Sequence, residues 1–333
     1  MGDRAKRHHQ VPRSYLNRFA AGDRVFVRRR DGRAFESSTL NVAVESGFYD
    51  VPEDGGVPVT MVEDTLALVD GAGARALSRI DSTGLPPGAG SDDRVELAMF
   101  VAIQMTRTTE YREHAMFSER VFAWLGDRPL TEPLMAEYLE TVHLGYPPRP
   151  REAEAALDFV TAATRDGLGG EVFGIRMMLT SAQLLLPRIL ALNWTIEVAG
   201  DRSFITSDSP VILWRKPSRR DEFQGIGIET AREVRIPLDP GKQLVLSTRT
   251  RATRIEVAAH RVRSCNAEMA RGSHRFILGH PNSRPDIEAL HLPARGPSVR
   301  FNLGPLYVDG PNGPERQESE VLHMFVPHRS QTF

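Results

Sequence analysis

Lysine and cysteine are the residues this sequence hardly uses. Of 42 basic residues only Lys6, Lys216 and Lys242 are lysines, so its cationic chemistry rests on arginine. A GC-rich coding sequence is enough to explain that bias. Arginine is also the side chain that grips carboxylates and phosphates through two parallel hydrogen bonds. The single cysteine, Cys265, excludes an intramolecular disulfide and a cysteine-based zinc site. Its helical surroundings mark it as a small buried hydrophobe, not a nucleophile. No apolar run reaches the ~18 residues of a membrane span, and the charged amino terminus lacks the apolar stretch of a secretory signal. A cytoplasmic enzyme or binding protein with no membrane partner is therefore expected. Also missing are G-x-x-x-x-G-K-[ST], H-E-x-x-H and G-x-S-x-G, which argues against P-loop nucleotide hydrolysis, zincin proteolysis and α/β-hydrolase chemistry.

What is present is the composition of a folded globular protein. The 333 residues carry a formal net charge of −1, so no global field draws in polyanions, although local arginine clusters can still bind an anion. A proline-started amphipathic helix near Pro12 is followed by "RVFVRRRDGRAFES", which reads as strand, D-G turn, strand. "MVEDTLALVDGAGARALSRI" reads as a helix weakened by two glycines. "DDRVELAMFVAIQMTRTTEYREHAMFSERVFAWLG" gives the longest helical pattern, and "IRMMLTSAQLLLPRILALN" is helical with a break expected near Pro187. From "WTIEVA" onward the segments are short, β-branched and punctuated by Asp, Ser, Pro and Gly, as strands are. A helix over about 252–271 and the strand "HRFILG" follow.

Helices first and strands later indicate an α+β protein, its helical N-terminal two-thirds packed on a mainly antiparallel C-terminal sheet as one intertwined unit. The expected boundaries are a single domain over 1–280, helix-rich over 1–192 and strand-rich over 193–280, with an extended C-terminal tail over 281–333.

Four stretches concentrate groups that can do chemistry. In "RHHQVPRSYLNRF" an extended backbone sends His8 and His9 to opposite faces, and histidine is the side chain best placed to move a proton near neutrality. A solvated surface pair fits the same residues. In "FVAIQMTRTTEYREH" the spacing i, i+3, i+7 puts Gln104, Arg107 and Tyr111 on one helix face, with His114 extending it. That face suits a carboxylate or phosphate, or equally a solvated stripe with Arg107 paired to an acid. In "SFITSDSPVILW" the run from Ser207 through Asp208 to Ser209 caps a turn, and Asp208 is also able to orient a histidine or hold a guanidinium. In "RVRSCNAEMARGSHRF" Asn266 is mildly unfavourable inside a helix and so points at a partner, either a ligand or a backbone carbonyl. The arginines of "RVFVRRRDGR" are candidate phosphate contacts, or a solvated hairpin.

Taken in order, these stretches resemble the DUF4238 family of bacterial and fungal proteins. The pieces are His8-His9-Gln10-Val11-Pro12 with Tyr15, Leu16 and Phe19; Gln104 with Arg107-Thr108; Trp194 with Phe204-Ile205-Thr206-Ser207-Asp208; Pro237-Leu238 with Pro240; and Asn266 with Arg275-Phe276. The likeness spans about 7–280. Arg13 and Ser14 depart from the pattern, as does Asp239 before Pro240.

The resemblance implies one site gathered from distant segments. Its catalytic residues are His8, His9, Arg107 and Asp208; its substrate-binding residues are Tyr15, Arg18, Gln104, Tyr111, Ser207 and Asn266. Arginine-containing cyclodipeptide synthases are similar to this family. That similarity implies acyl transfer from aminoacyl-tRNA, arginyl-tRNA among the donors, to an amino-acid or small-molecule acceptor, forming an amide or cyclic dipeptide. A histidine serves as general base, and no cofactor or metal is needed. The alternatives are a metal-dependent phosphodiesterase or nuclease, in which His8, His9, Asp208 and Asn266 hold the ion, and a non-catalytic sensor of a small anion.

Overall fold

The computed structural model describes residues 7–46, 59–165, 170–216, 226–250, 252–293, 298–302, 306–310, 313–317 and 321–325. It is α+β, with most helices in the N-terminal part and antiparallel-rich sheets after them. Where the sequence reading has one unit, the contacts gather the chain into two compact units. The first comprises residues 1–109, 175–215 and 227–295, and the second residues 110–174, 216–226 and 296–333.

In the first unit, strand β1 (Arg7–His9) leads into helix α1 (Arg13–Leu16), the hairpin β2 (Arg24–Arg29) and β3 (Ala34–Ser38), and β4 (Val44–Ser46). Helices α2 (Val59–Thr83) and α3 (Asp92–Thr106) follow. The α3 start has the signals its sequence advertises: the Ser91 hydroxyl accepts from the Arg94 N–H, and Asp92 and Asp93 fill the first turn. After helix α8 (Gly170–Leu190) come β5 (Asn193–Ala199), β6 (Thr206–Ser207), β7 (Ile212–Trp214), β8 (Glu233–Asp239), β9 (Lys242–Ser247) and β10 (Arg254–Val257), then helix α9 (Ala259–Gly272), β11 (Phe276–Gly279) and helix α10 (Arg284–Glu288). Pro187 lies inside α8 and does not break it. It forgoes the bond to the Gln183 carbonyl, and only one turn of helix follows it. The helix expected over 252–271 divides into β10 and α9, because Arg254–Val257 pairs in parallel with β5.

The strands form a five-stranded sheet of order β10-β5-β9-β8-β7 and a four-stranded sheet of order β3-β2-β11-β6, with β1 paired to β4 alone. In the larger sheet one face is apolar, with Trp194, Ile196, Val234, Ile236, Leu244 and Leu246 all buried. The opposite face, beneath α9, is charged and equally dry. Glu197, Glu233, Arg235 and Gln243 are each at most 5 % exposed. Arg261 of α9 bridges Glu197 at 2.9 Å and Glu233 at 2.8 Å, Arg235 pairs with Glu233, and Gln243 donates to Glu197 at 2.6 Å and to the Cys265 sulfur at 3.2 Å. Arg235 also lies over the Trp214 ring, 4.2 Å from its centroid. Cys265 is buried, as its sequence context implies, and burial pushes its thiol pKa up.

Two glycines weaken α2 in the propensity ledger, and one of them is required. A Cβ on Gly73 would stand 2.4 Å from Phe100 Cδ2, so the absence of a side chain there sets how closely α2 and α3 approach. Gly73→Ala is expected to cost about 1–3 kcal/mol through overpacking, which outweighs the ~1 kcal/mol gained from helix propensity. Urea unfolding checks this, and a stabilised variant would contradict it.

The second unit holds α4 (Thr109–Ala115, from its second residue), α5 (Phe117–Leu125), α6 (Glu132–Tyr138), α7 (Pro150–Arg165) and the strands β12 (Ser298–Asn302), β13 (Leu306–Gly310), β14 (Gly313–Gln317) and β15 (Val321–Phe325). The segment beyond 280, expected as an extended tail, thus supplies α10 to the first unit and four strands to the second. Val299 and Phe301 of β12 enter the core formed by Phe117, Val121, Met135, Tyr138 and Val160. His114 sits in this core, its ring 4.9 Å from that of Phe159 and 5.7 Å from that of Phe301. Burial lowers its pKa, with Glu110 opposing. The folded form therefore binds this proton less readily than the unfolded chain. Stability is complete above the ordinary histidine pKa of ~6.5 and falls as pH drops from there toward the folded value. Thermal melts from pH 7.5 to 5 should show that decline, and His114→Phe should reduce it; an equal decline in the variant would contradict the assignment.

Candidate functional site

The site grows from a seam between α2 and α3. On α2, residues 63, 66, 70, 73, 77 and 80 recur at spacings of three and four and form one stripe. Leu66, Leu77 and Ile80 are buried there, and Gly73 receives Phe100. Two positions of this apolar stripe are acids, Glu63 and Asp70. On α3 the matching stripe runs Leu97, Phe100, Gln104, Arg107, and the helices run antiparallel, with Arg75 on Glu96 and Arg79 on Asp93. Acids in such a seam need partners. Arg107 Nη1 donates to Asp70 Oδ2 at 2.9 Å, and the His8 ring Nε2 lies 2.7 Å from Glu63 Oε1.

Arg107 ends α3, with φ −88° and ψ 47° and its N–H on the Ile103 carbonyl. Its second terminal nitrogen donates to the His9 carbonyl. The same break ends the long helix expected from the sequence. Gln104 and Arg107 belong to the first unit, whereas Tyr111 and His114 lie on α4 in the second. The helix face expected to carry Gln104, Arg107, Tyr111 and His114 is thus divided between two separate helices.

Strand β1 runs antiparallel to β4 with His8 opposite Glu45. His8 and His9 point to opposite faces, as extended backbone requires; His8 is buried and His9 half-buried. Gln10 continues the line. Its N–H bonds the Ala43 carbonyl at 2.8 Å, its Nε2 donates to Glu45 Oε2 at 2.5 Å, and its Oε1 accepts from Thr109 Oγ1 at 3.2 Å. Ala43 has φ +56°, a left-handed conformation that costs an alanine about 1–2 kcal/mol, held beside the strand that carries Glu45. Arg275 Nη1 reaches Glu45 Oε2 at 3.0 Å. The backbone N–H groups of His274 and Arg275 donate to the two oxygens of Asp208 at 2.9 and 2.6 Å. Polar contacts thus tie the His8–Gln10 stretch to Arg107 and, through Glu45 and Arg275, to Asp208, three segments distant in the sequence.

Several expected site residues are committed to backbone. Asp208 spends one lone pair of each oxygen on the turn before β11. Ser207 Oγ closes a turn with Ser209. Asn266 accepts from the Ile205 N–H and donates to the Ser203 carbonyl, so the partner its helical position demands is backbone, not ligand. The Tyr15 hydroxyl donates to the Pro237 carbonyl at 2.6 Å and meets Thr206 Oγ1 at 3.0 Å; burial pushes its pKa up. Arg18 holds the Leu238 carbonyl and grips Asp81 with two bonds of 2.7 and 2.8 Å. Arg18, with Lys242 adding to it, draws the Asp81 carboxyl down to about 2. The hairpin arginines are engaged as well. Arg28 donates to the carbonyls of Ile287, Glu288 and Leu290, Arg30 to those of Ala270, Ser273 and Pro293, and Arg29 and Arg33 to Asp31. Arg28 and Arg30 cap helix C-termini, where cations belong.

What remains are the pairs His8–Glu63 and Arg107–Asp70, with Gln104 one turn before Arg107 on α3. A carboxylate on Nε2 selects the His8 tautomer that carries its proton there. Burial raises the Asp70 pKa above the usual carboxylate value, and Arg107 offsets that only in part. Among the described residues no group of three or more His, Cys, Asp or Glu side chains is placed to hold a metal ion; the ligand set of the phosphodiesterase alternative loses Asp208 and Asn266 to backbone. Sequence reasoning missed Glu63, Asp70 and Glu45. The first two were findable, since acids seven apart on an otherwise apolar stripe share one face.

A family model described as "Protein of unknown function (DUF4238)" matches residues 7–283. No curated protein and no solved structure matches the chain.

Proposed function

The chain belongs to the DUF4238 family, and from that footing we propose that it transfers an aminoacyl group from an activated ester, aminoacyl-tRNA, to an amine, forming an amide or a cyclic dipeptide. The observation that carries this reading is the His8–Glu63 pair at 2.7 Å. Aminolysis of an ester needs a base that removes a proton from the attacking ammonium or from the tetrahedral adduct. A histidine oriented by a carboxylate is suited to that task, in the way a third group orients the base of a catalytic triad. Arg107, held by Asp70 and the His9 carbonyl, positions the histidine strand on α3. Asp208 takes no part in the chemistry and acts as a positioning residue for the turn beside β11.

Small-anion sensing is less well supported, because the Arg107 guanidinium is engaged by protein oxygens. The test is exposure of a mixed pool of charged tRNAs to the purified protein, with products followed by mass spectrometry. Loss of one or two aminoacyl species together with a new amide supports acyl transfer, and an unchanged pool overturns it. Nuclease action would instead shorten the tRNA.

A further inference from the structure

Gln104 is the one polar residue of the candidate site that the fold leaves without any bond. It is 1 % exposed, and neither Oε1 nor Nε2 has a hydrogen-bond partner. Asp70 Oδ1 is likewise buried without one, while Oδ2 is held by Arg107. Both residues belong to the α2–α3 seam. Gln104 occupies a seam position of α3 facing α2, one turn before Arg107, and Arg107 binds Asp70 across that seam. A buried amide with neither end satisfied is costly, and in a helix seam a leucine or methionine would pack there at no such cost.

The set has a definite chemical preference. It offers two oxygen acceptors and one amide NH2 group, and the Arg107 guanidinium is already turned to Asp70 and to the His9 carbonyl. An anion would meet Asp70 Oδ1 with like charge. A primary ammonium would donate to Asp70 Oδ1 and Gln104 Oε1 together, and Gln104 Nε2 would remain to donate to an acyl oxygen on the neighbouring atom.

We propose that Gln104 and Asp70 form the subsite for the α-ammonium group of an aminoacyl substrate. The assignment rests on the acyl-transfer reading for the identity of that substrate, while the preference for an ammonium beside a carbonyl rests on the unpartnered donors and acceptors of the seam. It gives Gln104 a substrate-binding role and makes Asp70 a second substrate contact.

The experiment measures binding to the full chain, by thermal shift and calorimetry, of the amides of the proteinogenic L-amino acids and of their Nα-acetyl counterparts. At least one amide should bind and its acetylated form should not. Gln104→Met should weaken that binding about tenfold or more, the size of a lost hydrogen bond to a charged group. Asp70→Asn should do the same by removing the charge. Because the amide is unpartnered in the free protein, Gln104→Met should melt no lower than wild type, which keeps the variant interpretable. An ordered water, or a seam amide that merely fixes helix register, predicts that no amide binds, or that Gln104→Met binds all ligands as wild type does; either result overturns the subsite. The two proposals fail separately. Amide binding through Gln104 without discharge of tRNA removes acyl transfer and keeps the subsite, and discharge with an indifferent Gln104 does the reverse.

Discussion

His8→Gln is expected to slow amide formation by about 10²–10⁴-fold, the usual worth of a positioned general base, while leaving the fold intact. Glutamine retains a donor for Glu63, so the carboxylate is not stranded and the strand stays docked through Gln10 and the Arg107 bond to the His9 carbonyl. Glu63→Gln acts on the same step through orientation and tautomer, and a loss of about 10- to 100-fold is expected. The double variant should be no slower than His8→Gln by itself, because a carboxylate that works only through the histidine has nothing to orient once that ring is gone. Multiplying losses would mean that Glu63 acts independently, and near-wild-type rates in His8→Gln would remove the histidine from the chemistry. His9→Ala should have the smaller effect, since His9 meets Arg107 through its backbone carbonyl, which the substitution keeps.

The largest effect on stability is expected at Arg235. Its side chain is fully buried and answers Glu233, itself 5 % exposed. Burial works to raise the Glu233 carboxyl, but Arg235 and Arg261 outweigh it and hold the pKa below the ordinary value. Arg235→Met leaves that carboxylate with Arg261 as its remaining described cation and should cost about 3–5 kcal/mol, the cost of breaking a buried pair. Adding Glu233→Gln should recover a large part of the loss, because a neutral amide is far cheaper to bury than an unpaired charge. Urea unfolding of the two single variants and the double closes the cycle. Strictly additive losses would show that the two side chains do not depend on each other. Since the folded pKa of Glu233 is depressed, its contribution is present above the unfolded carboxylate pKa and is lost as pH falls through the folded value.

The α+β class was legible because the period of the sequence changes near Trp194, and β2, β3, β5, β8 and β9 follow their β-branched, turn-bounded segments. Helix boundaries were less so. Nothing in the periodicity of residues 92–125 marks the break at Arg107; it arises from bonds to Asp70 and to the His9 carbonyl, which are tertiary. The strands beyond residue 280 are hidden from the sequence for a similar reason. Its Pro, Gly and Arg content reads as loop, whereas Val299 and Phe301 are fixed by a helical core formed far away in sequence.

The candidate site was partly legible. His8, Gln104 and Arg107 stand in it, but the residue types that flagged Asp208, Ser207, Asn266, Tyr15 and Arg18 are those that also bind backbone, and in this fold they do. Chemistry-bearing side chains and turn-holding side chains share one vocabulary, and only the position of the acceptor separates them. Glu63 and Asp70 passed unnoticed because each is an ordinary helical acid until the stripe it interrupts is counted.

The central claim is that the His8–Glu63 pair is the base of an aminoacyl transfer. It is tested most directly by following the ester bond of a mixed charged-tRNA pool with wild-type protein and with His8→Gln, matched by circular dichroism. Wild type should convert ester to amide, and His8→Gln should leave the ester in place. A pool untouched by wild type, or discharged equally well by the variant, would contradict it.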